Sequence, residues 1–261
     1  YVRGSDGSSG RERGAQDTSN ASAWRVAEIR SGSGSSAPGN YMAILVGDTL
    51  YFSANDASGH KLWAHDTSNA STWQVADIPS YWTSYPGQYM SMLVGDTLYF
   101  SANDGSSGTE LWAHGTSNAS TWRVADIDSG SGSSNPGQYM GIIVGDTIYF
   151  SANEASSGHE LWAHDTSNAS TWRVADIYSG GSSSYPGQIM EIIVGDTLYF
   201  SATDGSSGHE LWAHDTSNAS TWRVADIFSG SLASSYPGQH IEMLVGDTLY
   251  FSANDGSSGI E

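Results

Sequence analysis

The tetrapeptide Val-Gly-Asp-Thr recurs at Val46, Val94, Val144, Val194 and Val245, at offsets of 48, 50, 50 and 51 residues. Most of the surrounding sequence repeats with it; residues 156–177 and 206–227 are identical letter for letter. A chain written this way does not build one unrepeated core. Each unit must bury its apolar face on a neighbouring copy, which leaves solenoids and propellers as the available architectures.

One unit, taken from Tyr139, decides between them. Residues 140–144 (MGIIV) are too short for a helix and read as a buried strand. Gly145-Asp146 is a two-residue hairpin turn in which Gly supplies the positive φ. Residues 147–152 (TIYFSA) form a second strand, rich in β-branched and aromatic residues. Turn chemistry follows at 153–158, a third strand at 160–165 (ELWAHD), a turn at 166–170 and a fourth strand at 171–177 (TWRVADI). A Ser/Gly/Pro stretch then crosses to the next unit. Four antiparallel strands, three tight turns and one longer crossing loop describe a propeller blade, with the apolar first strand innermost. A β-helix needs shorter rungs, and the helical period of 3.6 is absent.

The chain therefore reads as one all-β domain over 1–261, a five-bladed β-propeller with blades near 41–78, 89–127, 139–177 and 189–227. The fifth blade is composite: 240–259 supplies two strands and 11–29 the other two, so that both termini close the ring and leave no free edge. Residues 1–10 (YVRGSDGSSG) are a surplus second-strand copy, and Arg13-Gly14 replace the Leu-Trp pair of every other third strand. Both ends fall inside a repeat, as in a processed chain or part of a longer one.

Twenty-eight Asp and Glu stand against nine Lys and Arg, a formal charge of −19, and Lys61 is the only lysine. Such a surface repels nucleic acid and anionic membranes and suits a secreted protein in salty water. There is no cysteine, which excludes disulfides, thiol chemistry and Cys-ligated metal. No run of eighteen apolar residues offers a helical membrane span.

The string Glu160-Leu161-Trp162-Ala163-His164-Asp165, with Thr171-Trp172-Arg173-Val174-Ala175-Asp176-Ile177, resembles the ELWxxDGT repeat family. Residues 195–202 (GDTLYFSA) and Asn103-Asp104-Gly105 before Glu110-Leu111-Trp112 look like its further hallmarks, and the similarity covers nearly all of the chain. It departs at the third turn, where Asp-Thr-Ser-Asn replaces Asp-Gly-Thr. The resemblance implies secreted, propeller-like modules of large surface proteins and implies no well-established ligand. Blade number and repeat length alone are similar to those of five-bladed propeller lectins, a likeness of fold only.

Alternation on the third strand puts Glu160, Trp162 and His164 on one face, and likewise Glu210, Trp212 and His214, or Glu110, Trp112 and His114. An indole flanked by a carboxylate and an imidazole is a sugar-gripping combination. The competing reading makes the same stripe interblade core. The second tryptophan series (Trp24, Trp73, Trp122, Trp172, Trp222) opens the outer strand, where partial exposure is expected. Trp82 lies in a crossing loop where other copies carry small residues, and Tyr185 and Tyr236 match Tyr85 in those loops. Asn20, Asn69, Asn118, Asn168 and Asn218 each begin Asn-Ala-Ser, an N-glycosylation pattern that equally suits a tight turn able to use the left-handed conformation of Asn. Residues 103–108 offer oxygens to calcium but lack the regular Asp spacing of a calcium loop, so turn chemistry is preferred, calcium stays as the alternative, and no other metal or cofactor is expected. His60, His159 and His209 do not suggest a zinc ring, since equivalent blade positions lie far apart. No nucleophile–base pair stands out; Glu191 and Glu242 occupy the variable inner-strand position and could approach one another. The expected function is a non-enzymatic, extracellular, multivalent binding protein whose first-choice ligand is a glycan, the alternative being a structural or protein-interaction module of a surface assembly.

Overall fold

The computed structural model describes residues 2–5, 11–17, 22–76, 78, 84–230 and 233–261. Among the described residues every regular element is a strand, and none is a helix that could cross a membrane. The chain divides into two compact units, Tyr1–Ser131 and Gly132–Glu261.

The first unit contains a three-stranded sheet, β1 (Val2–Ser5), β2 (Arg11–Asp17) and β3 (Ser22–Ala27). Two four-stranded sheets follow: β4 (Ala43–Val46), β5 (Thr49–Asn55), β6 (His60–Asp66) and β7 (Thr72–Ala76), then β8 (Ser91–Val94), β9 (Thr97–Asn103), β10 (Thr109–Gly115) and β11 (Thr121–Ala125). The second unit holds β12 (Gly141–Val144), β13 (Thr147–Glu154), β14 (Gly158–Asp165) and β15 (Ser170–Ala175), and then β16 (Glu191–Val194), β17 (Thr197–Thr203), β18 (His209–Asp215) and β19 (Ser220–Ala225). It ends in a two-stranded sheet of β20 (Glu242–Val245) and β21 (Thr248–Phe251). All four complete repeats are antiparallel, consecutively paired sheets of the propeller-blade kind.

Local chemistry sets each repeat. Val144 pairs with Thr147 across Gly145-Asp146, and Gly145 has φ 59°, the first central position that a type II′ hairpin gives to glycine. In every complete repeat the third and fourth strands shift register at the Leu-Trp step (Leu161 opposite Ala175, Trp162 opposite Arg173), a bulge that turns the outer strand. Ser151, fully buried, ties the crossing loop to the second strand: its Oγ accepts the N–H of Tyr139 (2.9 Å) and of Met140 (3.3 Å).

Packing is sheet on sheet within each unit. In the second unit Met140, Tyr149, Leu161 and Ala163 of one sheet meet Leu198, Phe200 and Ala202 of the next, with Trp212 at the margin. In the first, Tyr51, Leu62 and Ala64 meet Leu98, Phe100, Ala102 and Trp112. Both faces of the middle strands are therefore interior.

The expected pairing of residues 11–29 with the C-terminal repeat meets a competitor. The edge of β2 that such pairing would use carries β1, from Val2 opposite Gly14 to Ser5 opposite Arg11. A hairpin closes over a handful of residues and the terminal pairing over more than two hundred. The loop-closure difference is about 3 kcal/mol in favour of the hairpin.

Candidate functional site

The Glu-Trp-His stripe of the third strand belongs to the interior. Glu110, Glu160 and Glu210 are 0% exposed, His114, His164 and His214 2%, and Trp112 8%. Trp162 and Trp212 are half-buried, and the indole Nε1 atoms of Trp63, Trp112, Trp162 and Trp212 are buried with no hydrogen-bond acceptor among the described residues. The expectation that these side chains grip a ligand gives way to the packing alternative. The glutamate and histidine of the stripe are closed to solvent, so the stripe as a whole offers no open face.

Each stripe residue has an internal task instead. Glu160 holds the crossing loop: its carboxylate accepts the N–H groups of Ile177 (2.7 Å) and Ser184 (3.2 Å) and the Ser184 hydroxyl (2.8 Å). Burial pushes its pKa up to about 7 in spite of these donors. Glu110 accepts from Ile127 N–H and Glu210 from Ile227 and Ser235 N–H in the same way. His164 Nδ1 lies 2.9 Å from Thr171 Oγ1 on the outer strand, as His114 does from Thr121 and His214 from Thr221. His214 also packs its ring 5.3 Å from Tyr149, and burial lowers the pKa of His114, His164 and His214.

Two other arrays reach the surface. The first is the outer-strand tryptophan series: Trp73, Trp122, Trp172 and Trp222 are 40, 40, 39 and 40% exposed. The identity of these numbers follows from the repeat, since each indole leaves the same strand position beyond the same bulge. Beside Trp172, Arg173 bridges Glu154 (3.4 Å) and Asp176 (3.7 Å). Two residues before it, Ser170 closes an exposed turn in which Asp165 accepts from Ser167 N–H (2.8 Å) and from Asn168 Nδ2 (2.7 Å). The Ser167 bonds foremost hold the Asp165 carboxyl below the usual carboxylate range, so this turn is anionic.

The second array sits where crossing loops meet the start of the third strand. In the first unit Tyr41, His60 and Tyr85 cluster, with His60 stacked on Tyr85 at 5.6 Å and Tyr41 edge-on to both. In the second, His159 stacks on Tyr185 (6.0 Å, 23°), Tyr185 meets His209 (6.3 Å), and His209 stacks on Tyr236 (6.4 Å, 16°). Tyr139 lies edge-on to His159 and Tyr185. His159 and His209, far apart as possible metal ligands, are thus joined through a tyrosine. Tyr85, Tyr185 and Tyr236 precede proline at φ 45°, 50° and 48°, a left-handed conformation that proline disfavours in its predecessor; Ala37 and Asn135 take it too. The loop dictates the backbone and the repeat chooses the side chain.

Of the remaining candidates, Trp82 and Asn20 lie outside the described residues. Asn69, Asn118, Asn168 and Asn218 stand in exposed turns. The left-handed residue there is not Asn but the following alanine (Ala169, φ 59°), while Asn168 Oδ1 accepts the N–H of Ser170. Asp104 spends its oxygens on the N–H groups of Ser106 and Ser107 and on their hydroxyls, and among the described residues no three His, Asp or Glu side chains gather as a cation site would require. Glu191 accepts Gly141 N–H at 3.1 Å; burial first, and the Glu242 charge in addition, push its pKa up to about 7. Sequence reasoning missed the Tyr–His clusters because their members come from three separated segments. The signal was present: His60, His159 and His209 accompany Tyr85, Tyr185 and Tyr236, whereas Thr109 accompanies Asn135.

No family model and no curated protein matches the chain. Among solved structures it is similar to a prolyl endopeptidase (11% identity, TM-score 0.49, 81% of this chain and 31% of that one). It is also similar to a Mycobacterium tuberculosis puromycin-hydrolyzing peptidase (10%, 0.48, 87% and 35%) and to TolB from Acinetobacter baumannii (11%, 0.39, 96% and 59%). The chain spans about a third of the length of the peptidases.

Proposed function

We propose that this protein is a non-enzymatic, extracellular, multivalent binding protein, of the ELWxxDGT repeat kind, whose ligand is a repeated glycan. One observation carries the reading: four tryptophans, one per complete repeat, present the same 39–40% of their surface beside the same polar turn. An exposed indole covers sugar C–H groups while Asn and Ser of the turn meet hydroxyls, joined by Asp66, Asp165 or Asp215 in three of the four repeats; the other carries Gly115 there. Repetition supplies by avidity what each shallow site lacks. The charge of −19 favours a neutral glycan over a polyanion.

The four complete repeats and the terminal strands belong, in this reading, to a five-bladed ring in which β2 and β3 complete the repeat begun by β20 and β21. The side chains of Met243, Val245 and Tyr250, 48–57% exposed, are what a completed blade would cover. The same exposed residues favour the second reading, an interaction module that joins another chain of a surface assembly.

Glycan arrays probed with the purified chain separate the two. Hits that vanish when Trp122, Trp172 and Trp222 become Ala support the lectin reading. Blank arrays together with a stable hetero-complex on sizing support the scaffold, and small-angle scattering with the profile of an open spiral would remove the ring.

A further inference from the structure

The tyrosine–histidine stack is continuous in one unit and, among the described residues, interrupted in the other, where Tyr85 has one histidine neighbour and not two. In the second unit Tyr185 is covered on one side by His159 and on the other by His209. The backbone reason is that Ser184 O accepts the N–H of Thr203, and Thr203 pairs with His209 across β17 and β18. The first unit repeats that backbone: Ser84 O accepts the N–H of Asn103, and Asn103 pairs with Thr109 across β9 and β10. Thr109 therefore stands where His209 stands. Tyr85 keeps His60 on one face, but beyond its other face a threonine replaces an imidazole, and Tyr85 is 37% exposed while Tyr185 is half-buried. Among the described residues no second ring covers that face.

The edge of that face is polar. Thr109 carries a hydroxyl, and the Asn103 amide, whose Nδ2 lies 3.5 Å from Thr109 Oγ1, stands beside it. Asn103 Oδ1 is fixed by Gly105 N–H at 2.6 Å, which orients the amide. A phenol face with a hydroxyl and an oriented amide at its edge is suited to a ring that is apolar on its face and hydroxylated at its rim. Tyr236, by contrast, is followed in the same register by Ile260, which offers no polar edge.

We propose that the open face of Tyr85, edged by Thr109 and Asn103, binds a single neutral pyranose ring, a site distinct from the outer-strand tryptophans. This rests on the glycan reading above. The site exists once in the described residues because only this repeat pairs a loop tyrosine with a following threonine.

The test uses the full chain in a background where Trp73, Trp122, Trp172 and Trp222 are Ala, with saturation-transfer NMR against a panel of neutral methyl pyranosides. The background is expected to retain a transfer signal. Thr109→His, which copies the residues at 159 and 209 and so suits the fold, covers that face and should weaken binding about ten-fold or abolish it; Tyr85→Ala should do the same. A signal present in the wild-type chain but absent from the background overturns the Tyr85 site and leaves the tryptophan reading standing, as does a background signal that Thr109→His leaves unchanged. Silence from the wild-type chain across the panel overturns both.

Discussion

Replacing Glu160 by Gln isolates the energetic cost of the buried carboxylate that holds the crossing loop. Glu160 is fully buried, and moving its pKa from 4.5 to about 7 means that the fold prefers the protonated acid. At about 1.36 kcal/mol per pH unit the preference amounts to about 3 kcal/mol. The sign follows from proton counting. Between those two values the folded chain holds a proton that the unfolded chain has lost, so this group's stabilisation is complete below about 4.5 and disappears as pH rises through 7. Gln cannot ionise; it keeps one acceptor oxygen, for the Ile177 N–H and the Ser184 hydroxyl, and sets its amide NH2 against the N–H groups of Tyr178 and Ser184, a cost that does not vary with pH.

The difference between variant and wild type should therefore move in the variant's favour by up to about 3 kcal/mol between pH 4 and pH 8. Six histidines act in the opposite direction: burial lowers the pKa of His60, His114, His159, His164, His209 and His214, and their contribution is lost as pH falls below 6.5. The difference between the two proteins cancels that shared slope. Urea unfolding followed by tryptophan fluorescence at pH 4, 5, 6, 7 and 8 gives the difference directly. A flat difference would refute the reasoning. A change with pH of opposite sign would mean that the four donors outweigh burial and that the carboxylate is held charged.

Further outcomes follow from burial and backbone geometry. Trp112→Ala should cost about 3–5 kcal/mol in urea unfolding, whereas Trp122→Ala at the half-exposed position should cost under about 1 kcal/mol. Ser151→Ala strands the N–H groups of Tyr139 and Met140 and should cost about 2 kcal/mol, seen as a lower urea midpoint at an unchanged slope. Gly145→Ala meets no atom within 4 Å and bears only left-handed strain, about 1–2 kcal/mol; Gly187→Ala adds a collision with Met140 Cβ and must cost more. Equal losses at the two glycines, measured by thermal unfolding, would contradict that ordering.

How much was legible follows from where the information lies. Strand order and hairpin positions were local properties of one unit, and copying made them plain: Gly145-Asp146 turns, Thr147–Glu154 pairs, and the next copy agrees. The stripe on β14 was legible as a stripe, with Glu160 and Trp162 on the face opposite Leu161. Its environment was not, because a buried strand carries polar residues inward where loops need acceptors. Glu160 is the case in point: its partners Ile177 and Ser184 lie 17 and 24 residues away, beyond any local pattern. The Tyr–His stacks were hidden for the same reason. The termini were ambiguous in the sequence and show why in the structure, since β1 offers β2 a nearer partner of the same repeat position as β21.

Lys61 ties several of these departures together. It occupies the position of Glu12, Glu110, Glu160 and Glu210, and like them it is buried, at 4% exposure. An ammonium group only donates, so it cannot take the N–H of Ile78 as Glu160 takes that of Ile177. The crossing loop that follows keeps the Ser84 contacts to His60 O, and its sequence is the one that leaves the Ser/Gly pattern to carry Tyr81 and Trp82. The same repeat lacks the outer-strand arginine, with Gln74 in place of Arg123, Arg173 and Arg223, and its neighbour supplies Thr109 beside Tyr85. The near-copies build like sheets, and Lys61, Gln74 and Thr109 are positions at which two neighbouring sheets depart from the rest.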